Sequence, residues 1–161
     1  MKDSKDELVK LTEEEQEAVD RDWKIFCDTV NADAPQGQNF YMPKEVNETL
    51  RRTYASGALL RLAREYVMET NDDLQISEQE KNLLLKKAET TAKHAVMIDP
   101  YPLTFYEAGN IFYKINEVEQ ARIFYMNFLK SASGVLSKES SKNLITCIEM
   151  AIKDIESKNI L

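Results

Sequence analysis

The chain carries a single histidine, His94, and two cysteines, Cys27 and Cys147. Nucleophilic catalysis needs a Ser or Cys within hydrogen-bond reach of a base. His94 stands in a helical pattern among Ala92, Lys93 and Ala95 with no Ser or Cys on its local face, so only tertiary folding could bring a cysteine to it. The cysteines lie 120 residues apart inside helical patterns. That placement reads as two small buried hydrophobes rather than a disulfide. Glycine-rich phosphate loops are absent, and the run Glu13-Glu14-Glu15 reads as a first helical turn that favours negative charge. No catalytic residue, cofactor or metal site is assigned, and the chain is expected not to be an enzyme.

One stretch has oxygen ligands at suggestive intervals. Written as a calcium loop, ETNDDLQISEQE places Glu69, Asn71, Asp73, Ile76, Ser77 and Glu80 at positions 1, 3, 5, 8, 9 and 12. Position 6, where the sharp turn requires Gly, is Leu74, and no second loop accompanies it. A polar turn followed by a Ser77/Glu80 capping box accounts for the same residues. A calcium-responsive helical protein acting through residues 69–80 is therefore an alternative rather than the main reading.

Positioning these groups falls to helices. The 161 residues include only four Gly and four Pro, and 30% are charged, a composition that favours an all-α domain over a turn-rich β one. A net charge of −7 argues against binding to phosphate backbones, which rests on Lys and Arg clusters. The opening MKDSKDELVKLTEEEQ has no apolar core segment and no 18-residue apolar run occurs, so membrane insertion is not expected and the location is read as cytoplasmic.

Six helices are predicted. Thr12 and Glu15 form a capping box for the first, whose apolar face is Val19, Trp23, Phe26 and Val30. Residues Asn31 to Phe40 read as a loop, and Pro43 suits the first turn of a second helix carrying Val46, Leu50, Leu60, Ala63 and Val67. Ser77 and Glu80 open a third helix, with Leu84, Ala88, Ala92 and Ala95 on its face, that ends at Asp99-Pro100. Pro102 opens the fourth, Asn116 supplies a left-handed turn into the fifth, and Gly134 ends that one. A last helix from about Lys138 carries Leu144, Ile148, Ile152 and Ile155. The expected division is an N-terminal helix and linker over residues 1–42 and a repeat region with a capping helix over residues 43–161, all within one compact domain.

Gly109 lies in the middle of the fourth helix, where it costs about 1 kcal/mol relative to Ala. A second helix passing close by would explain it. A shift of 52 residues sets Gly57 on Gly109 and Tyr54 on Tyr106, an internal recurrence of the kind that marks helix-hairpin repeats. The segment resembles a tetratricopeptide repeat. Phe105 stands at the large aromatic position, Ala108 and Gly109 at the Leu-Gly pair, Phe112 at the second aromatic, Ala121 at the small residue of the second helix and Tyr125 at its aromatic. Phe128 and Ser133 depart from the family's usual Ala and Pro. The preceding unit supplies Ala88, Ala95 and Pro100 but has a longer turn, Glu69 to Gln79. The resemblance implies tetratricopeptide-like hairpins Pro43–Met97 and Pro102–Lys130 with a concave face that binds an extended peptide. Mapped by repeat position, that face holds Arg51, Tyr54, Arg61, Tyr106, Asn110 and Tyr113, with Asn110 bonding a peptide backbone and neither Tyr106 nor Asn110 in the core.

Size, acidic balance, an N-terminal helix and an Ile-rich last helix also resemble the class II chaperones of type III secretion, which hold an unfolded translocator segment in the groove. That likeness implies a protein partner and a homodimer through the N-terminal helix. The competing expectation is a scaffold or adaptor that uses its outer surface and that helix, with Trp23 and Phe26 in contact with the partner.

Overall fold

A computed structural model describes residues 9–33, 44–71, 76–132 and 138–159. Among these the chain forms six α-helices and no strand: α1 (Glu13–Asp33), α2 (Lys44–Asn71), α3 (Glu78–Ile98), α4 (Pro102–Lys114), α5 (Val118–Ala132) and α6 (Lys138–Asn159). None is long and apolar enough to cross a membrane.

Local chemistry explains most of the boundaries. At α1 the capping box is complete: the Thr12 Oγ1 accepts from the Glu15 N–H at 3.2 Å, and the Glu15 Oε1 accepts from the Thr12 N–H at 3.0 Å. At α3 only one half forms, the Glu80 N–H donating to Ser77 Oγ at 3.1 Å. Pro102 occupies the first turn of α4. Asn116 takes a φ of 66° and closes α4 with two reversed bonds, Glu117 N–H to the Phe112 carbonyl at 2.9 Å and Asn116 N–H to that of Tyr113 at 3.1 Å. These are the two bonds of a Schellman turn.

The first helix runs farther than its sequence reading, to Asp33 rather than Val30. Pro43, Gly134 and most of the 31–40 loop lie outside the described residues.

Two antiparallel pairs, α2 with α3 and α4 with α5, lie side by side, with α4 meeting both α2 and α3; α1 packs on α2 and α6 on α5. The seams are built from alanine: Ala58, Ala63, Ala88, Ala92, Ala95, Ala108 and Ala121 are almost wholly buried. Small residues there let helix axes approach while Leu59, Ile111, Phe112, Phe128, Ile148 and Ile155 fill the space beside them. Gly109 belongs to the same device, since a Cβ built there would sit 2.6 Å from the Tyr125 ring.

Three sequence expectations fail. Gly57, aligned with Gly109 by the internal shift, faces open space within 4 Å, so the recurrence does not place equivalent contacts there. Val46, assigned to the apolar face of α2, is 48% exposed in the first turn of that helix. Cys147 is exposed and Cys27 only half-buried, both as free thiols; Cys147 precedes the inward Ile148 and so points off the core face of α6.

Candidate peptide-binding site

The six residues assigned to a concave face divide into two groups. Arg51, Tyr54 and Arg61 lie on the side of α2 that α1 covers. The Tyr54 ring stacks 4.6 Å from Phe26 and meets the Trp23 ring edge-on at 6.0 Å. The Arg51 guanidinium lies over Trp23, 5.2 Å from the ring centroid, and Arg61 is paired with Asp22 of α1. Arg61 also reaches Glu65 on its own helix at 3.9 Å.

The N-terminal helix therefore does not stand apart from the α2 residues. Trp23 and Phe26, the anchors of the scaffold reading, touch Tyr54, an anchor of the groove reading. The two expectations meet in one aromatic cluster. Beside it opens a cleft of about 270 Å³ lined by Asp22, Ile25, Phe26, Thr29, Tyr54 and Arg61. Ile25 is 57% exposed at its edge.

The α4 group closes on α5 and α6 instead. Tyr106 is half-buried, its ring 5.9 Å from that of Phe128. The Asn110 side-chain oxygen accepts from the Tyr125 hydroxyl at 2.7 Å. The Tyr113 hydroxyl donates to Asp154 of α6 at 3.1 Å, and the Tyr113 side chain is the most exposed of the three. Burial, and then the neighbouring Tyr106 and Tyr113, push the Tyr125 hydroxyl up to about 12, so it stays a neutral donor to Asn110. Neither Tyr106 nor Asn110 is among the buried core residues, as expected, but both are half-buried and are engaged in the packing of α4 on α5 rather than left free for a ligand. The physical reason is that Gly109 brings the Tyr125 ring across the α4 surface and within reach of Asn110.

A second polar cluster, absent from the sequence reading, pins the start of α1. Glu15 is 1% exposed and its Oε2 lies 2.7 Å from His94 Nδ1 on α3. The adjacent Glu14 accepts from the Tyr66 hydroxyl and from Lys87 Nζ, the latter at 3.3 Å. The Tyr66 hydrogen bond first, and Lys87 with it, hold the Glu14 carboxyl below its ordinary range, while burial raises Tyr66. The lone histidine is therefore a partner for a buried carboxylate. Only its rarity marked it in the sequence; its partner lies 79 residues away.

The calcium alternative meets a local obstacle. Glu69 and Asn71 are in the last turn of α2 and Ser77 Oγ is taken by the α3 cap; residues 72–75 lie outside the described residues. Among the described residues no three metal-ligating side chains cluster. Comparison with protein-family models, with curated proteins and with solved structures finds no match.

Proposed function

We propose that this chain is a non-enzymatic protein-binding module that holds an extended segment of a partner protein against the α1/α2 cleft and the neighbouring face of α4. The observation that carries this reading is the composition of the cleft. Trp23, Phe26 and Tyr54 form a partly solvent-facing aromatic cluster with Arg51 stacked on it and Ile25 exposed at its edge. Aromatic residues and arginine are the side chains enriched at the centres of protein interfaces, where they bury large areas at low entropy cost. A cleft of about 270 Å³ has room for one large apolar side chain of a bound segment. The narrower form of the proposal is a chaperone that keeps such a segment of a secreted translocator extended until it is needed.

The test is selection of 12-residue peptides from a random display library on the full chain, followed by affinity measurements on the strongest binder. Ile25→Asp and Arg51→Glu should weaken it at least tenfold, about 1.4 kcal/mol, without loss of helicity. Tyr113→Ala should act in the same direction if the segment continues across α4. Unchanged affinity in all three variants, or no selectable peptide, would overturn the reading.

A further inference from the structure

Charge is distributed unevenly along the chain. α1 holds eight acidic and two basic residues, so it carries −6 of the chain's net −7. The face on which it lies has the opposite sign. Arg51 and Arg61 of α2 meet Trp23 and Asp22 of α1, and Lys87 of α3 meets Glu14 at 3.3 Å. His94 of α3 reaches Glu15, while Tyr54 and Tyr66 of α2 receive Phe26 and Glu14.

α1 adds little to the core that it covers. Of its 21 residues only Glu15 and Ala18 are buried, Trp23 and Phe26 are half-buried, and Val19 alone packs against the margin of the main apolar cluster. The shorter α5 contributes Ala121, Phe124, Tyr125, Phe128 and Ala132 to that cluster. A segment with few buried apolar contacts opens at a lower free energy than the fold as a whole. α1 can therefore leave while Leu59, Ile111, Phe112 and Phe128 stay packed, and its departure uncovers two arginines, a lysine, a histidine and two tyrosines.

We infer that α1 is an intramolecular occupant of a helix-binding face, and that this face accepts, in exchange for α1, an acidic amphipathic helix of a partner protein. α1 supplies the recognition pattern: carboxylates at the positions of Glu14, Glu15 and Asp22, and aromatic rings at those of Trp23 and Phe26. The carboxylates set the register of the bound helix against Lys87, His94 and Arg61, and the rings anchor it on Tyr54 and beneath Arg51, as in helix-in-groove recognition. A basic helix would be repelled by those cations. A wholly apolar one would bury them unpaired. The inference does not rest on the peptide-binding proposal. The cleft of that proposal needs α1 in place, so the two occupants exclude one another and arrival of the acidic helix would release the extended segment.

The experiment uses the full chain in two measurements. Native-state hydrogen exchange of the wild type should show the amides of residues 19–30 exchanging at least about tenfold faster than those of Leu59 and Phe112. A fluorescein-labelled peptide with the sequence of residues 12–33 is then titrated against the wild type and against Glu14→Lys/Asp22→Lys, whose α1 is repelled by Lys87 and Arg61 while the face beneath is unaltered. The variant should bind the peptide at least about tenfold more tightly than the wild type, whose own α1 competes. Peptides with Trp23 and Phe26 changed to Ala, or with Glu14, Glu15 and Asp22 changed to their amides, should each lose about tenfold or more. A peptide that keeps only Thr12, Ala18 and the five pattern residues, with Ala and Gln elsewhere, should bind nearly as well as the parent. Equal protection of α1 and the core in the wild type would overturn the inference even where the variant fails to fold. Equal binding by wild type and variant, or full binding of the amide peptide, would also overturn it, and so would a stable wild-type dimer that the peptide dissociates, since the face would then take the helix of a second copy.

Discussion

Gly109 and Tyr125 are in direct contact across the α4/α5 seam: a Cβ on Gly109 would lie 2.6 Å from two atoms of the Tyr125 ring, a separation that real Cβ atoms do not reach. The same tyrosine, held by that contact, donates its hydroxyl to Asn110.

Gly109→Ala should therefore destabilise the protein, because the ring can retreat only by giving up the Asn110 bond; about 1–3 kcal/mol is expected for such overpacking. Gly57→Ala should do the reverse. Gly57 faces open space in the middle of α2, so alanine adds helix propensity of up to about 1 kcal/mol without a clash. The neighbouring Ser56 has a buried hydroxyl with no partner, and Ser56→Ala should also stabilise. Urea unfolding of the three variants separates these signs.

Asn110 and Tyr125 should behave as a coupled pair. Asn110→Ala leaves the Tyr125 hydroxyl half-enclosed without its acceptor, at about 1–3 kcal/mol. Once Asn110 is gone, Tyr125→Phe should cost nothing further or recover part of the loss. A double-mutant cycle with coupling near zero would mean that the bond contributes nothing to the fold.

His94→Leu should lower stability by about 3 kcal/mol, since it strands the Glu15 carboxylate in a nearly sealed site. Glu15→Gln in the same background should restore much of it by removing the charge. Chemical denaturation of the single and double variants decides this, and equal stability of wild type and His94→Leu would show that Glu15 draws enough from the Thr12 cap alone.

Two carboxylates should respond to pH with opposite signs. Glu14 has a lowered value in the folded state, so its hydrogen bonds to Tyr66 and Lys87 contribute stability above the ordinary carboxylate range that is lost as pH falls through the lowered value. Glu89 has a raised value, chiefly from burial and then from Glu117, so its ionised form costs stability once pH rises through that value. Glu89→Gln should raise the melting temperature at pH 7, and the gain should fade towards about pH 4, where unperturbed carboxylates protonate. Glu14→Gln should lower it at pH 7, with the deficit closing on acidification. A Glu89→Gln variant that melts with wild type across this range would rule out the Glu89/Glu117 repulsion.

What the sequence by itself determined is local. The capping box at Thr12, the Ser77 cap, Pro102 at the start of α4 and the left-handed Asn116 were legible because each depends on residues within five positions of one another. The alanine stripe of α3 and the role of Gly109 could be read for a related reason: helical spacing fixes which residues share a face, and a mid-helix glycine needs a close neighbour. What tertiary structure decided is which face meets which. The rotation of α2 under α1 put Tyr54, Arg51 and Arg61 against Trp23, Phe26 and Asp22 and left Gly57 in the open, although the internal recurrence had paired Gly57 with Gly109. Glu15 and His94, 79 residues apart, found each other in the same way. Such pairings depend on helix rotation and axial offset, which emerge from packing all the side chains at once, and no local pattern encodes them.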